Sequence, residues 1–401
     1  MKESEKLLKF KQALKKGKEG IPDNFEAWLE LHGIDFKNLS FNFVQKHFLE
    51  NPRYMIGNEG NIEIIGEYIG LFLRNRRAFY HVPIVGITGS GKSLLISSLQ
   101  NIIFKSGEDV TFRMYDASKF QIDDNEILLY DKQEVTKEKQ DVIFIDSCER
   151  DNFIFDSLTL LFGKMGNAVY ITAWTPEKFN YWSHDIIYSF PFSKKIVLAP
   201  MDNNNFQLEF QYRPGILEDI SRLVWNISEV ISLENTKDED SFRDIFEDKR
   251  YHTNNDLFKF SLGIPSILIK LLIASIRETF LKRREKLESK TIEDAARKMG
   301  IILINKKLKK LSPPHLRLIE AIILFSSEEG INPTKLAKIL RLDISTVSYY
   351  LNLLKSEQIL ESTQTGRKIS YKIKENLTPY IQMKLLVGFN YLKLNNGDGR
   401  K

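Results

Sequence analysis

Short apolar runs alternate with helix-length segments through the middle of the chain. A representative helix-length segment is Lys92–Phe104. Because the runs are almost continuously apolar, we expect strands that are buried on both faces. Strands alternating with helices predict an α/β fold with a parallel five-stranded sheet. The five runs are Val82–Ile87, Val110–Tyr115, Val142–Ile145, Ala168–Ala173 and Ile196–Ala199.

Apolar residues with helical spacing flank this region on both sides. They predict helices within residues 22–50 and over Ile62–Leu73 before the strands. They predict further helices over Ile216–Leu233 and Ile264–Leu287 after the strands, where the strand pattern fades. Thr291 is predicted as the N-cap of one more helix in this all-α part.

The C-terminal hundred residues have a different pattern of three short helices and two strands. The helices are predicted over His315–Phe325, Asn332–Leu340 and Ser345–Lys355, and the strands over Ile359–Thr363 and Ile369–Ile373. Two short helices joined by a tight link are typical of a helix-turn-helix. The segment resembles winged-helix DNA-binding domains, in which the two strands form the wing.

The third of these helices divides into an apolar and a polar face. Val347, Leu351 and Leu354 follow helical spacing and are predicted to face the core. The other face carries hydrogen-bonding groups suited to base edges and phosphates, and basic residues stand at the hairpin turn. A winged helix that contacts protein instead of DNA is the alternative. The candidate DNA-binding residues are Ser345, Thr346, Ser348, Tyr349, Asn352, Arg367 and Lys368.

The distribution of charge along the chain supports the prediction that this segment binds DNA. The 401 residues have a formal net charge of only +5, but Ile301–Lys401 holds 17 Lys and Arg against 8 Asp and Glu. This part therefore carries +9, and the first 300 residues carry −4. A basic module attached to a near-neutral one is typical of nucleic-acid binding, although an uneven solvated surface has the same count. Asn305–Lys310 is predicted as a basic linker before the module.

Composition narrows the class of protein further. The single cysteine, Cys148, excludes an intramolecular disulfide and a cysteine-rich zinc site. The most apolar stretch, Phe260–Ile276, is interrupted by Pro265 and Lys270 and is too short for a membrane span. We therefore expect a soluble, cytoplasmic protein with no membrane partner.

The strongest chemical signal is Gly86-Ile-Thr-Gly-Ser-Gly-Lys-Ser93, which fits G-x-x-x-x-G-K-[ST] at every fixed position. An apolar strand precedes it and a helical pattern follows it, as this phosphate-binding loop requires. The glycines allow the backbone N–H groups to face phosphates, and the following helix presents its positive end to them. Lys92 is expected on the β- and γ-phosphates and Ser93 on Mg²⁺. The candidate nucleotide-binding residues are Gly86, Thr88, Gly89, Ser90, Gly91, Lys92, Ser93 and Leu94.

A second acidic element follows in Asp141–Asp146. Four apolar residues predict a buried strand, and Asp146 is placed at its carboxyl end, where ligands bind in open α/β sheets. Asp146 is therefore the candidate partner of Ser93 in holding Mg²⁺.

These two motifs resemble the Walker motifs of AAA+ ATPases, and the resemblance extends over about residues 55–300. It implies ATP and Mg²⁺ as cofactors. This family usually has a Glu after the Walker-B Asp, but Ser147 stands there; Glu149 either replaces it or is a surface residue. Thr172 resembles the polar sensor of the fourth strand, or it is an ordinary strand residue. The candidate catalytic residues are thus Asp146, Glu149 and Thr172.

Two further departures concern arginines. The segment Gly263–Ser266 resembles the start of the family's second sensor helix, but Ser266 replaces its arginine. Residues 151–211 contain no arginine, so the usual position of an arginine finger is empty. Because a finger contributes about 10³–10⁵ in rate, slow hydrolysis with ATP acting as a switch is expected. A normal ATPase with catalytic groups in other positions is the rival.

The order of the parts resembles that of archaeal origin-recognition initiators, or of related plasmid and viral ATPases. The resemblance implies ATP-dependent binding of double-stranded DNA, with a role in DNA replication and possible self-association. A nucleotide-gated transcription regulator and a DNA transposition or partition ATPase are the alternatives. The predicted parts are an N-terminal helical extension (1–54) with its own protein partner, an ATPase core (55–205), a helical lid (206–304), a winged helix (305–378) and a C-terminal helix and tail (379–401).

Overall fold

The computed structural model describes residues 22–123, 126–129, 139–150, 154–181, 192–198, 216–232, 250–326, 330–366, 368–383 and 385. The chain forms two compact units. The first draws on residues 1–47, 217–261 and 268–299, and the second on residues 48–216, 262–267 and 300–401. The domain boundaries suggested by the sequence stay predictions.

A parallel five-stranded sheet forms the centre of the second unit, which confirms the predicted α/β fold class. The strands of this region are β1 (Tyr80–Gly86), β2 (Phe112–Asp116), β3 (Phe120–Asp123), β4 (Glu126–Leu129), β5 (Val142–Asp146), β6 (Val169–Trp174) and β7 (Ile196–Leu198). The spatial order of the five-stranded sheet is β2-β5-β6-β1-β7, so the strand that precedes the phosphate loop lies between β6 and β7.

Helices cover both faces of this sheet, because alternate strand residues point to opposite sides. Ile143 and Tyr170 pack with α5 (Ile154–Met165) on one face. Phe144 and Ile171 pack with α3 (Glu59–Arg74) and α4 (Lys92–Ser106) on the other face. The two helices before these are α1 (Phe25–Leu31) and α2 (Phe41–Glu50).

The connection from β2 to β5 differs from the prediction of a helix. Its described residues form a short 3₁₀ turn and the antiparallel hairpin of β3 and β4. Each strand of the hairpin has only four residues, which is too short for a periodicity signal to be read from the sequence.

The first unit is all-α in its described part. Phe25 of α1 lies with its ring centroid 5.0 Å from that of Phe280, and the Asp35 N–H donates to Ile231 O at 2.8 Å. Residues near the N-terminus therefore pack on the later helices of this unit. Those helices are α6 (Ile216–Ile231), α7 (Arg250–Ser261), α8 (Pro265–Leu281, whose first turn lies in the second unit) and α9 (Ser289–Lys298).

Two boundaries in this region were predicted wrongly. Glu288, and not Thr291, is the N-cap of α9. Thr291 is the third helical residue, and its hydroxyl accepts from the Glu288 N–H at 3.0 Å, so the capping side chain acts from inside the helix. Most of the stretch predicted as a linker, 305–310, belongs to the helix α10 (Ile301–Leu308).

The C-terminal part of the second unit consists of three further helices and a hairpin. A bridge between Ile331 and Tyr371 adds a third extended segment to the hairpin. Residues 378–383 continue the chain as a helical segment. The helices are α11 (Pro313–Phe325), α12 (Pro333–Leu340) and α13 (Ile344–Ser356), and the strands are β8 (Leu360–Thr365) and β9 (Lys368–Ile373).

Within the described residues, no helix combines the length and the apolar character needed to cross a bilayer.

Candidate functional site

The loop between β1 and α4 is built on two glycines in the left-handed region. Gly89 has φ +83° and Gly91, the N-cap residue of α4, has φ +100°. A side chain would be strained at both φ values. At Gly89 it would also collide with Ser266. The strand, the tight loop and the helix follow one another here as G-x-x-x-x-G-K-[ST] requires.

Lys92 folds back over this loop. Its Nζ donates to Gly86 O at 2.8 Å and to Ile87 O at 3.1 Å, and the side chain is buried. The ammonium group therefore lies at the carboxyl edge of the sheet, beside the loop that it would serve. Ser93 and Leu94 follow in the first turn of α4, where both are half-buried.

Asp146 ends β5 at the same edge of the sheet. Its side chain is 8% exposed, and its Oδ1 accepts from the Ser147 N–H at 2.8 Å. Ser147 has φ +59°, so the chain turns sharply and enters a 3₁₀ turn over Cys148–Arg150. Glu149 lies in this turn and is half-buried.

Glu177 is a member of the site that sequence reasoning missed. It follows β6 and is the second residue of a helical segment at 176–181. Its side chain is 2% exposed. Burial raises the pKa of its carboxyl to about 7, against the lowering effect of the Lys92 charge. The Glu149 charge raises that pKa further, so Lys92, Glu149 and Glu177 are electrostatic neighbours.

Thr172 is placed differently from the other candidates. It pairs with Ile145 and Pro83 inside the sheet, while β6 continues to Trp174 before it reaches the carboxyl edge. The Thr172 hydroxyl lies 2.8 Å from His81 Nε2 and accepts from Trp174 Nε1 at 2.7 Å. Burial lowers the pKa of His81 to about 3, so this cluster is neutral. The structure therefore brings Thr172 together with buried core groups.

Several buried polar atoms around the loop lack a partner among the described residues. They are Ser90 Oγ, Glu149 Oε2 and Glu177 Oε1. Such atoms are costly unless a ligand or water completes them. A magnesium nucleotide with its water shell offers acceptor oxygens to the hydroxyl and donors to the carboxylates. The residues present thus fit the cofactors that the sequence predicts.

The helix α13 has a buried apolar face and a more exposed polar face. Val347, Leu351 and Leu354 of α13 are buried, which confirms the predicted core face. Tyr349 is 64% exposed. Ser345, Asn352 and Lys368 are exposed, Thr346 and Ser348 are half-buried, and Arg367 lies outside the described residues.

Other exposed basic residues lie on α12, on α13 and in the link between them, and the sequence pattern did not single them out. Lys335 and Lys338 lie on α12, Arg341 follows it with φ +54°, and Lys355 lies in the last turn of α13. Asn352 is partly engaged, because its Oδ1 accepts from the Tyr371 hydroxyl at 3.4 Å. The surface around α12 and α13 is therefore basic and rich in hydrogen-bonding groups.

Comparison with known proteins gives structural neighbours only. No protein-family model matches the chain, and no curated protein matches it in sequence. The Thermotoga maritima RuvB Holliday junction branch migration motor is similar with 15% identity and a TM-score of 0.40, covering 86% of this chain and 98% of RuvB.

Two Aeropyrum pernix proteins are similar at the same level. Orc1, in a complex with DNA, has 11% identity and a TM-score of 0.44 over 88% of this chain and 97% of its own. Orc2, in ADPNP and ADP complexes, has 12% identity and a TM-score of 0.40 over 86% and 96%. Because the sequence identities and TM-scores are this low, the function of this chain is inferred from its own residues.

Proposed function

We propose that the chain binds Mg²⁺–ATP at residues 86–93 and uses the nucleotide as a switch for binding double-stranded DNA. The observation that carries the first part is the phosphate loop itself, which joins a buried strand to a helix through left-handed Gly89 and Gly91. Loops of this form present backbone N–H groups to phosphates and place a lysine beside them.

Each residue of the site has a proposed task. The N–H groups from Thr88 to Leu94 bind phosphate oxygens, and Lys92 leaves the carbonyls of Gly86 and Ile87 to meet the β- and γ-phosphates. Ser93 and Asp146 hold Mg²⁺, which neutralises phosphate charge when it is bound.

Hydrolysis is proposed to be slow. Ser147 supplies no carboxylate directly after Asp146, although Glu149 and Glu177 are acidic residues of the same region. Residues 151–211 also contain no arginine, so the usual arginine finger that would stabilise the transition state is missing there. Thr172 is not assigned a catalytic role, because its hydroxyl is engaged by His81 and Trp174.

The DNA partner is proposed from the C-terminal surface. Val347 and Leu351 anchor α13 in the core, while Ser345 and Tyr349 on the same helix remain exposed. We assign α13 to the major groove and the predicted turn with Arg367 and Lys368 to the phosphate backbone, as in a winged helix.

The wider role is proposed from the layout of the chain. An AAA+-type core followed by a helical lid and a winged helix is the order found in origin-recognition initiators. DNA at a replication origin is therefore the proposed target.

Nucleotide binding is tested by Lys92→Ala. Removing the ammonium group should weaken ATP binding at least about 100-fold, because a buried charge-assisted contact to phosphate is lost. Isothermal titration with Mg²⁺–ATP measures the affinity, and circular dichroism checks that the fold is retained.

Lys105→Ala is the matched control, since Lys105 is an exposed residue in the last turn of the same helix. Its ATP affinity should equal that of the wild type. Tight ATP binding by a folded Lys92→Ala protein would contradict the assignment of the phosphate loop.

A further inference from the structure

A buried glutamine from the C-terminal segment reaches the phosphate loop. Gln382 belongs to the helical residues 378–383 and is 2% exposed. Its chain neighbours Ile381 and Met383 are also buried, so the segment is packed into the second unit. A polar side chain buried in this way needs partners, because an unpaired amide is costly in an apolar interior.

Gln382 finds its partners at the candidate nucleotide site. Its Oε1 accepts from the Thr88 N–H at 2.7 Å, which is a good hydrogen bond in length. Its Nε2 lies 3.5 Å from Glu177 Oε2. One side chain therefore joins the third residue of the phosphate loop to the buried carboxyl whose pKa the Lys92 charge lowers.

The Thr88 N–H is one of the donors that the proposed function assigns to phosphate. It has a single hydrogen, so it forms one strong hydrogen bond at a time. The Gln382 carbonyl and a phosphate oxygen are both acceptors for that hydrogen. An anion that engages Thr88 must therefore replace Gln382 there.

We propose that Gln382 is a latch that fastens the C-terminal segment to the phosphate loop and that ATP releases it. The latch rests on the proposed function, because ATP is the ligand that competes for Thr88. Between β9, which ends at Ile373, and Gln382 there is only one 3₁₀ turn (Glu375–Leu377) and the start of the helical segment. Release of Gln382 thus acts on the chain that follows the proposed DNA-binding hairpin.

The latch implies reciprocal effects on the two sites. If ATP must displace the amide, the amide lowers the affinity for ATP, and bound ATP lowers the stability of the docked segment by the same factor. Both effects are measurable without any reading of hydrolysis.

The first test is Gln382→Met, which keeps the length of the side chain and removes both polar contacts. Because the net value of one hydrogen bond is modest, we expect the variant to bind Mg²⁺–ATP about three- to tenfold more tightly than the wild type in isothermal titration. Met383→Leu is the matched control, since it alters an adjacent buried residue that has no polar contact to the loop. Its affinity should be unchanged.

The second test uses the wild type alone. Hydrogen exchange of the backbone amides at 378–383 should become faster when ATP is added, because the segment loses its tie to Thr88. This measurement stands even where Gln382→Met fails to fold.

The outcomes separate the latch from the proposed function. Wild type that binds ATP with no change in exchange at 378–383, or folded Gln382→Met with equal or weaker affinity, would overturn the latch and leave nucleotide binding in place. A wild type that binds no ATP would overturn both.

Discussion

Thr172 and Glu177 differ in their positions relative to β6. The sequence singles out Thr172 by its resemblance to a polar sensor residue of the fourth strand. In the structure β6 continues for two residues beyond Thr172, which pairs with Ile145 inside the sheet, and Glu177 follows the strand as an electrostatic neighbour of Lys92. Apolar content does not show where a strand ends, because Trp174 prolongs the apolar run of β6 beyond Thr172. Thr175-Pro-Glu177, with a proline that favours a helix start, was the available signal.

The loop glycines and Lys92, in contrast, could be predicted in full. Their spacing reflects a backbone geometry that few other sequences allow, and Gly89 and Gly91 have the left-handed φ values it requires. The Gln382 contact could not be predicted, because it joins residues 294 positions apart. A glutamine in an apolar segment carries no information about its partner.

The raised pKa of Glu177 leads to a prediction about pH. Burial raises the pKa from the ordinary value of 4.5 to about 7, so the folded protein holds this proton more tightly than the unfolded chain does. As the pH rises from about 4.5 to 7, the unfolded chain releases the proton first, and folding loses stability. Glu177→Gln removes this loss. Relative to wild type, we expect the variant to gain on the order of 1–3 kcal/mol in free energy of unfolding between pH 5 and pH 8.

Urea unfolding of both proteins at the two pH values measures this difference. Glu320, whose pKa burial also raises to about 7, titrates in the same window and affects both proteins equally. Identical pH dependence in the two proteins would show that Glu177 does not hold its proton in the folded state.

At the scale of elements, the sequence pattern predicted the sheet and the helix α4 between β1 and β2, but it missed part of the connection from β2 to β5. All five predicted runs became strands of the parallel sheet. β5 and β6 are buried along their whole length and are almost continuously apolar, whereas the edge strand β2 is partly exposed and contains Arg113. The hairpin of β3 and β4 and the helix α10 were missed. Their signals are weak: four-residue strands show little periodicity, and the lysines at the end of α10 resemble a linker. The strand order depends on pairings that the sequence does not encode locally.

The C-terminal hairpin carries a prediction on DNA binding. Arg367→Ala combined with Lys368→Ala removes two positive charges at the predicted turn, so fewer counterions are released from DNA. The slope of log affinity against log salt should become shallower by about 1–2. Fluorescence anisotropy of a labelled duplex of about 30 bp, which is roughly three helical turns, measures this slope across a salt series.

Lys105→Ala combined with Lys119→Ala is the control for charge alone. Both lysines are exposed on the surface and lie far along the chain from the hairpin, within residues 55–205. This double variant should keep the wild-type slope. A slope that is also unchanged in the hairpin variant would remove the turn from the DNA interface.

At the scale of the whole molecule, the charge split follows the arrangement of elements. Part of the positive charge after residue 300 falls on the helices α10, α12 and α13 and on the strand β9, and further basic residues follow residue 383 in the sequence. The phosphate loop and these elements lie in one compact unit, and Gln382 connects the loop to the segment after the hairpin. The hydrogen bond between Thr88 and Gln382 and the short chain from Gln382 back to β9 therefore connect the phosphate loop with the proposed DNA surface.

A nucleotide-gated DNA-binding protein must bind DNA differently with and without ATP. The measurement is the affinity for duplex DNA at fixed salt, with and without Mg²⁺–ATP, for the wild type and Lys92→Ala. We expect ATP to tighten DNA binding by the wild type at least about fivefold, as allosteric coupling of this kind provides, and to leave Lys92→Ala unchanged. Equal wild-type affinities with and without ATP, at a concentration that saturates the nucleotide site, would contradict the proposed switch.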